Sequence, residues 1–236
     1  MMTLTKALGS NSYPGRGILL GTSEDGRHAV AAYFIMGRSV NSRNRIFAAN
    51  DFSGIKTVAF DESKLTDPSL IIYNAVSVIG DETIVTNGDQ TDTVYEHLKS
   101  GSTFEEALYT RQFEPDRPNF TPRISGLIKK EKDDVSFKLS ILKSGDEKGE
   151  SCIREFFSYS AIEAGVARLI HTYEHDGDPI PSFSGEPKAV KISGDIDSVA
   201  NELWSVLDSD NKVSLFVRFI NKKTGEYLTR VINKNE

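Results

Sequence analysis

Along most of this 236-residue chain, apolar positions either alternate with polar ones at the two-residue period of a strand or run as short blocks between turn residues. Residues 16–21 (RGILLG) and 28–36 (HAVAAYFIM) are two such blocks, and Thr22-Ser23-Glu24-Asp25-Gly26 between them predicts a hairpin. Residues 45–50 and 55–60 repeat the arrangement around Asn50-Asp51-Phe52-Ser53-Gly54, and residues 69–79 and 83–86 around Gly80-Asp81. This reading places six strands before the first helix. Helical spacing appears at residues 92–100 and again at 104–109, the latter capped by Ser102 or Thr103 with Glu105 and Glu106 in its first turn. The Pro-containing stretch 111–121 reads as a long loop, and loops of that size usually carry function.

The second half continues in the same way. Strands are predicted at residues 123–130 and 135–142, on either side of Glu131-Lys132-Asp133-Asp134, and at 151–158. Residues 160–174 open with Ser160 and Glu163 in capping-box spacing, yet Gly165 interrupts a helix and Leu169-Ile170-His171-Thr172-Tyr173 favours a strand. A short turn followed by a strand is therefore expected. Residues 197–207 form an amphipathic helix, with Val199, Leu203, Val206 and Leu207 on one stripe beside Trp204. Residues 213–220 and 227–232 close the chain as a hairpin. Many antiparallel strands with few helices predict an α+β domain of two packed sheets with helices outside. No linker, repeat or low-complexity run divides the chain, so residues 1–236 read as a single domain.

Composition narrows the function. A 38% hydrophobic, 26% charged chain is ordinary for a globular protein, and a net charge of −6 argues against a nucleic-acid surface. An anionic ligand must then be held by local positive charge. The single cysteine, Cys152, cannot form an internal disulfide, and no apolar run is long enough to span a bilayer, so a cytoplasmic protein without a membrane partner is expected.

Local positive charge is present. Arg16, Arg38, Arg43 and Arg45 sit among Gly, Ser and Asn directly beside apolar blocks, at the ends of predicted strands instead of along a solvated helix face. One such arginine would read as a surface charge. A cluster suits a carboxylate or phosphate, because the guanidinium is a planar fork of donors. Three other motifs compete. His171-Thr172-Tyr173-Glu174-His175 matches the H-x-x-E-H zinc pattern, which works only on a helix, and the segment is expected to be a strand. Asp176 and Asp178 lack the further oxygen ligands of a calcium loop. Cys152, inside a predicted strand with no histidine near it in sequence, reads as a buried thiol.

The polar signatures at strand ends are Arg16; Tyr33; Arg38-Ser39; Asn44-Arg45; Tyr73-Asn74; Asn87-Gly88-Asp89-Gln90-Thr91-Asp92; Thr121-Pro122-Arg123-Ile124-Ser125-Gly126; and His171-Thr172-Tyr173-Glu174. In this order they resemble the archaeal-type IMP cyclohydrolase family, most specifically in the YN, NGxxTD and TPRIxG signatures, over residues 13 to about 187. The resemblance implies a four-layer αββα sandwich like that of N-terminal nucleophile hydrolases, without self-processing or an N-terminal catalytic residue. The chain opens Met1-Met2-Thr3, with no Cys, Ser or Thr directly before its first strand, in keeping with that implication. It departs from the archaeal pattern by extra residues at 40–43 and by a longer segment at 175–183, which bear on the substrate more than on the fold.

What the resemblance implies for chemistry is ring closure of 5-formamidoimidazole-4-carboxamide ribotide to inosine monophosphate. The carboxamide nitrogen attacks the formyl carbon and water leaves, with no metal or other cofactor. An amide is a weak nucleophile, so the site must hold a near-attack geometry, stabilise the adduct oxygen and move protons. The expected catalytic residues are Tyr73, Arg38, Asn74, Glu114 and Asp116. The expected substrate-binding residues are Arg16, Tyr33, Asn44, Arg45, Asn87, Asp92, Thr121, Arg123 and Tyr173. For Tyr33 and Tyr173 an ordinary core role with the hydroxyl satisfied competes, and for Glu114 and Asp116 simple loop solvation does. The implied partner is a small purine ribotide, bound by a chain that would act alone or as a homo-oligomer. Two other classes stay open: an amidohydrolase of the same fold cleaving a C–N bond, and a non-catalytic nucleotide-binding protein using the same arginines.

Overall fold

The structure is a computed structural model that describes residues 1–65, 68, 71–132 and 134–235. A short helix α1 (Leu4–Leu8), capped by the Thr3 side chain, precedes strands β1 (Arg16–Thr22) and β2 (His28–Met36). Helix α2 (Val40–Arg43) then leads into β3 (Arg45–Ala49), β4 (Ile55–Ala59), β5 (Asn74–Ile79) and β6 (Glu82–Thr86). Helices α3 (Gln90–Lys99) and α4 (Phe104–Tyr109) are followed by β7 (Arg123–Glu131), β8 (Asp134–Ser144), β9 (Cys152–Tyr159), β10 (Val166–His171) and β11 (Lys188–Lys191). Helix α5 (Ile196–Val206) and the hairpin β12 (Lys212–Asn221) and β13 (Tyr227–Asn233) complete the chain.

The strands form two antiparallel sheets, one of six strands in the order β11-β10-β1-β2-β12-β13 and one of seven, β3 through β9 in sequence order. Strands β1 and β2 are buried almost throughout instead of alternating, because both their faces are covered. The pleat sorts their side chains: Ile18, Leu20, Ala31 and Tyr33 point to the core shared with Val85, Ile124, Phe137 and Leu139 of the second sheet. Leu19, Ala32 and Phe34 point the other way, against Leu4 and Leu8 of α1 and Val199 and Leu203 of α5. On the far side of the second sheet, Ile84, Leu127 and Leu142 meet Val94 of α3 and Phe104 and Leu108 of α4. The expected α+β class with two antiparallel sheets and few helices is thus what the chain adopts.

Several boundaries differ from expectation. Six strands do precede α3, which starts at Gln90 where residues 92–100 were expected, but α1 and α2 come before it, so it is not the first helix. The strand expected over residues 69–79 starts at Asn74; Ser69 and Leu70 lie outside the described residues, as does Asp133 of the expected turn at 131–134. Residues 160–174 do resolve into a turn and a strand, β10, while β11 had no counterpart in the reading. Among the described residues no helix is long and apolar enough to cross a membrane.

The β1–β10 pairing depends on a bare Cα. A Cβ on Gly21 would lie 2.4 Å from the Val166 carbonyl oxygen and 2.6 Å from the Ala167 Cα, both backbone atoms that cannot rotate aside. Gly21→Ala must therefore part the two strands, and a loss of about 1–3 kcal/mol is expected. A urea midpoint that falls at constant slope is the measurement, and an unchanged midpoint would contradict the packing described.

Candidate active site

Antiparallel pairing of Arg16 with Ile35 and of Gly17 with His171 sets the start of β1 beside the last residues of β2 and β10, and the starts of β3 and β7 and the residues leading into β5 lie at the same end of the two-sheet sandwich, where Arg16 faces Arg45, Tyr73 and Glu114. Polar residues that follow or precede apolar strands are thereby gathered without being neighbours in sequence. Arg16 from β1, Arg45 from β3 and Arg123 from β7 are all buried there, Arg45 with 0% exposure, and the buried Glu114 from the loop after α4 stands among them at 2%. The three cations stand with Glu114 at the centre, while Asp116 beside it and Asp89, paired with Arg123 from a half-exposed side chain, complete the charged group. Burial first, and then the neighbouring Arg16, depress Arg45 from its ordinary value, a sign of like charges held close.

The donors of this group are not used up. Arg16 Nε, Arg45 Nη1 and Arg123 Nε are buried and have no partner among the described residues. Arg45 is steered by its other nitrogens, with Nε donating to the Ser42 carbonyl at 2.9 Å. A buried donor left unpaired costs free energy, so three of them on the arginines of one charged group suit a place prepared for an anion. Burial lifts the Glu114 carboxyl above its ordinary range, with Arg16, Arg123 and Arg45 opposing and Asp116 assisting. A carboxyl raised in this way is suited to taking up and giving back a proton.

Hydroxyls line the same end. Tyr33 and Tyr73, one from each sheet, share a hydrogen bond of 2.8 Å, and burial raises the Tyr33 hydroxyl well above its usual value. Tyr173 bonds Thr121 Oγ1 at 2.6 Å, and Thr121 Oγ1 donates to Asp116 Oδ2 at 2.5 Å. Threonine has one hydroxyl proton, so Tyr173 is the donor in its own bond. Burial pushes Tyr173 up to about 12, Arg16 opposing. Gly15, at φ +79°, makes room for that ring: a Cβ there would meet Thr172 Oγ1 at 2.2 Å and Tyr173 Cδ2 at 2.6 Å.

Among the residues expected from the sequence, Arg16, Tyr33, Arg45, Tyr73, Glu114, Asp116, Thr121, Arg123 and Tyr173 are brought together. Others are not. Arg38 lies at the rim, 39% exposed, bonded to Asp176 Oδ1 at 2.6 Å and to the Gly177 carbonyl at 3.0 Å, its guanidinium 5.0 Å from the Tyr13 ring centre. Asn44 is tied to the Asp61 backbone by both its amide atoms. Asn74, although adjacent to Tyr73, faces the opposite side of its strand, donating to Asp92 Oδ1 of α3 at 2.9 Å. Asn87 is buried beneath the group, bonding the Pro122 carbonyl and the Ile124 N–H. His171 ends a strand and is buried, its Nδ1 on the Tyr173 carbonyl at 2.7 Å, while His175 lies beyond the strand and bonds the Asp176 carbonyl.

Three residues of the site are not among the candidates named from the sequence. Tyr13 stacks on Tyr173 at 5.8 Å beneath Arg38; its signal is an aromatic directly before Pro14-Gly15. Asp89 pairs with both Arg111 and Arg123, and Gln90, fully buried, accepts from Arg123 Nη1 at 2.6 Å. Both occupy the variable positions of NGxxTD, where residue identity carries no weight in a motif.

This set of residues lies within residues 13–224, the stretch that matches the family described as IMP cyclohydrolase-like protein. The match extends past residue 187, where the sequence reading found nothing diagnostic, and takes in α5, β12 and most of the final turn. A protein of Methanosphaera stadtmanae named IMP cyclohydrolase is 29% identical over 172 residues, covering 70% of this chain and 75% of its own. One of Methanopyrus kandleri with the same name is 28% identical over 184 residues, 72% of this chain and 89% of its own, and one of Methanococcus maripaludis is 31% identical over 145 residues, 56% and 70%. With the match spanning nearly all of its strands and every residue of the buried arginine group, the chain belongs to the IMP cyclohydrolase-like family.

Proposed function

We propose that this protein is an IMP cyclohydrolase, an enzyme that closes the ring of 5-formamidoimidazole-4-carboxamide ribotide to inosine monophosphate with loss of water. The observation that carries the reading is the buried group of Arg16, Arg45 and Arg123 around Glu114, each arginine with a buried unpaired donor, in a chain of this family. A ribotide brings the anion such a site lacks. In the reaction the carboxamide N–H proton must leave and the formyl oxygen must depart as water, which needs an acid–base group and a donor for the adduct oxygen. Glu114 suits the first role and Tyr73, polarised through Tyr33, the second. Thr121, Asp116 and Tyr173 form a hydrogen-bonded chain beside the arginine group, and Asn44, Asn74, Asn87 and Asp92 hold the elements that carry it. We also read the chain as one domain with the four-layer arrangement of N-terminal nucleophile hydrolases, working in the cytosol. Helices outside both sheets and one core shared between the sheets support that reading.

The test is direct. Purified protein mixed with the formamido ribotide should give the ultraviolet absorbance of inosinate, unchanged by chelator, since the chemistry asks for positioned donors and a proton carrier. Tight ribotide binding without turnover would favour a non-catalytic nucleotide-binding protein instead.

Arg38 has a separate expectation. It reaches Asp176 and Gly177 in the longer segment at 175–183 and covers Tyr13, which makes it a clasp at the rim instead of a partner of Tyr73. Arg38→Ala should raise KM several-fold and leave kcat within about twofold, as expected when binding is lost equally from ground and transition states. A fall in kcat at constant KM would put Arg38 at the reacting atoms.

A further inference from the structure

We propose that Gln90 is a positioning residue for the reaction, clamping Arg123 against Glu114 so that the free edge of the guanidinium faces the substrate. The proposal rests on the site assigned above. Gln90 is fully buried in the first turn of α3, and its amide has one possible orientation. Its Nε2 faces two acceptors, Asn87 Oδ1 at 3.0 Å and the Ile124 carbonyl at 3.2 Å, so its Oε1 is left for Arg123 Nη1 at 2.6 Å. A flipped amide would set donor against donor and oxygen against two oxygens. Asp89 Oδ1 takes the same Nη1 at 2.6 Å, from a half-exposed side chain shared with Arg111.

The clamp therefore occupies one nitrogen of Arg123 and leaves Nε unpaired and buried. Its geometry also explains Gly88. A Cβ on Gly88 would lie 2.5 Å from Arg123 Nη1, 2.6 Å from Gln90 Oε1 and 3.5 Å from Glu114 Oε1, so the cation, its clamp and the carboxylate converge on one bare Cα. The charges facing Glu114 are Arg16 from β1, Arg45 from β3, Arg123 from β7 and Asp116 from its own loop. Of the three cations, Arg123 is the one whose guanidinium Gln90 holds in place.

Gln90→Met is a clean removal. Asn87 Oδ1 keeps the Ile124 N–H at 2.9 Å and the Ile124 carbonyl keeps the Asn87 N–H at 3.3 Å, so no backbone pairing is broken, and Arg123 Nη1 is left with the half-exposed Asp89 as its one holder. Gly88→Ala drives a methyl into the same contact while keeping Gln90, and is the second variant. Glu114 is followed in each by carbon-13 NMR of labelled glutamate, and turnover of the formamido ribotide is measured in parallel. With Arg123 held at Nη1 by the half-exposed Asp89 alone, its guanidinium can swing away from Glu114, so Glu114 should titrate at higher pH than in the wild type, and kcat/KM should fall about tenfold, the size of one charge-assisted hydrogen bond. General loosening of the site would admit water and move Glu114 the other way, so the sign separates positioning from mere structure. A Glu114 titration that stays put or moves down in whichever variant remains folded overturns the proposal. The reading of function fails differently: wild-type protein that does not turn over the ribotide refutes it, while the Glu114 titration still decides the role of Gln90. In the wild type itself, the two Arg123 Nη nitrogens should give distinct resonances, and rotational averaging would also overturn the clamp.

Discussion

Glu114→Gln is expected to lower kcat by about a hundredfold or more while making the protein more stable near neutral pH. The two effects share one cause. Glu114 is 2% exposed, and its burial outweighs the attraction of Arg16, Arg123 and Arg45, so the carboxyl holds its proton more tightly folded than unfolded. A group whose folded pKa is raised contributes stability that is fully present below the unfolded pKa and is lost as pH rises through the folded pKa. Above its folded pKa the wild type has lost that contribution, and Gln, a neutral stand-in of the same shape, has not. The variant should therefore unfold at higher temperature at pH 7, with the gap closing toward pH 4. In wild-type enzyme the same raised pKa predicts that the acid limb of the kcat profile lies above the ordinary carboxylate range, provided Glu114 works as a base. Thermal midpoints at the two pH values and a pH–rate profile check both halves. A variant less stable than wild type at pH 7 would mean that the arginines need the charge of Glu114 more than burial opposes it.

The strands and the arginine group were legible in the sequence for the same reason: a strand buried on both faces is a continuous apolar block, and a charge at its end is conspicuous. Arg16 and Arg123 each abut such a block, and Arg45 opens a short strand, β3, that is buried on alternate residues. What was not legible lies at two scales. Helices α1 and α2, of five and four residues, are too short to show a period and exist through caps, the Thr3 side chain and the Ser39–Ser42 pair. At the scale of single residues, a contiguous motif does not mean a shared site. Tyr73 and Asn74 read as one signature, yet the pleat sends Tyr73 into the core between the sheets and Asn74 toward α3. Gln90 is the converse, silent in sequence because a buried glutamine is recognised only from what it bonds.

Tyr73→Phe is expected to cost about a hundredfold in kcat, Tyr33→Phe clearly less, and the double variant no more than Tyr73→Phe alone. The reasoning starts from the 2.8 Å bond between the two hydroxyls, which come from opposite sheets and are buried at the inner end of the site. Each has one proton. If Tyr73 donates to the oxygen of the tetrahedral adduct, its own oxygen must accept from Tyr33, and that bond strengthens as the donated proton shifts toward substrate. Tyr33 then acts only through Tyr73, and once Tyr73 is Phe nothing remains for Tyr33 to polarise. Independent core tyrosines would instead show costs that add. Each loss of a hydroxyl also leaves its partner buried with one fewer bond, so stability should fall in either single variant by roughly 1–3 kcal/mol and recover in part in the double. The measurements are steady-state kinetics on the ribotide and denaturant unfolding of all four proteins. Additive kcat losses would separate the two hydroxyls, and equal kcat in all four would remove both from the chemistry and leave them as a bond that joins the sheets.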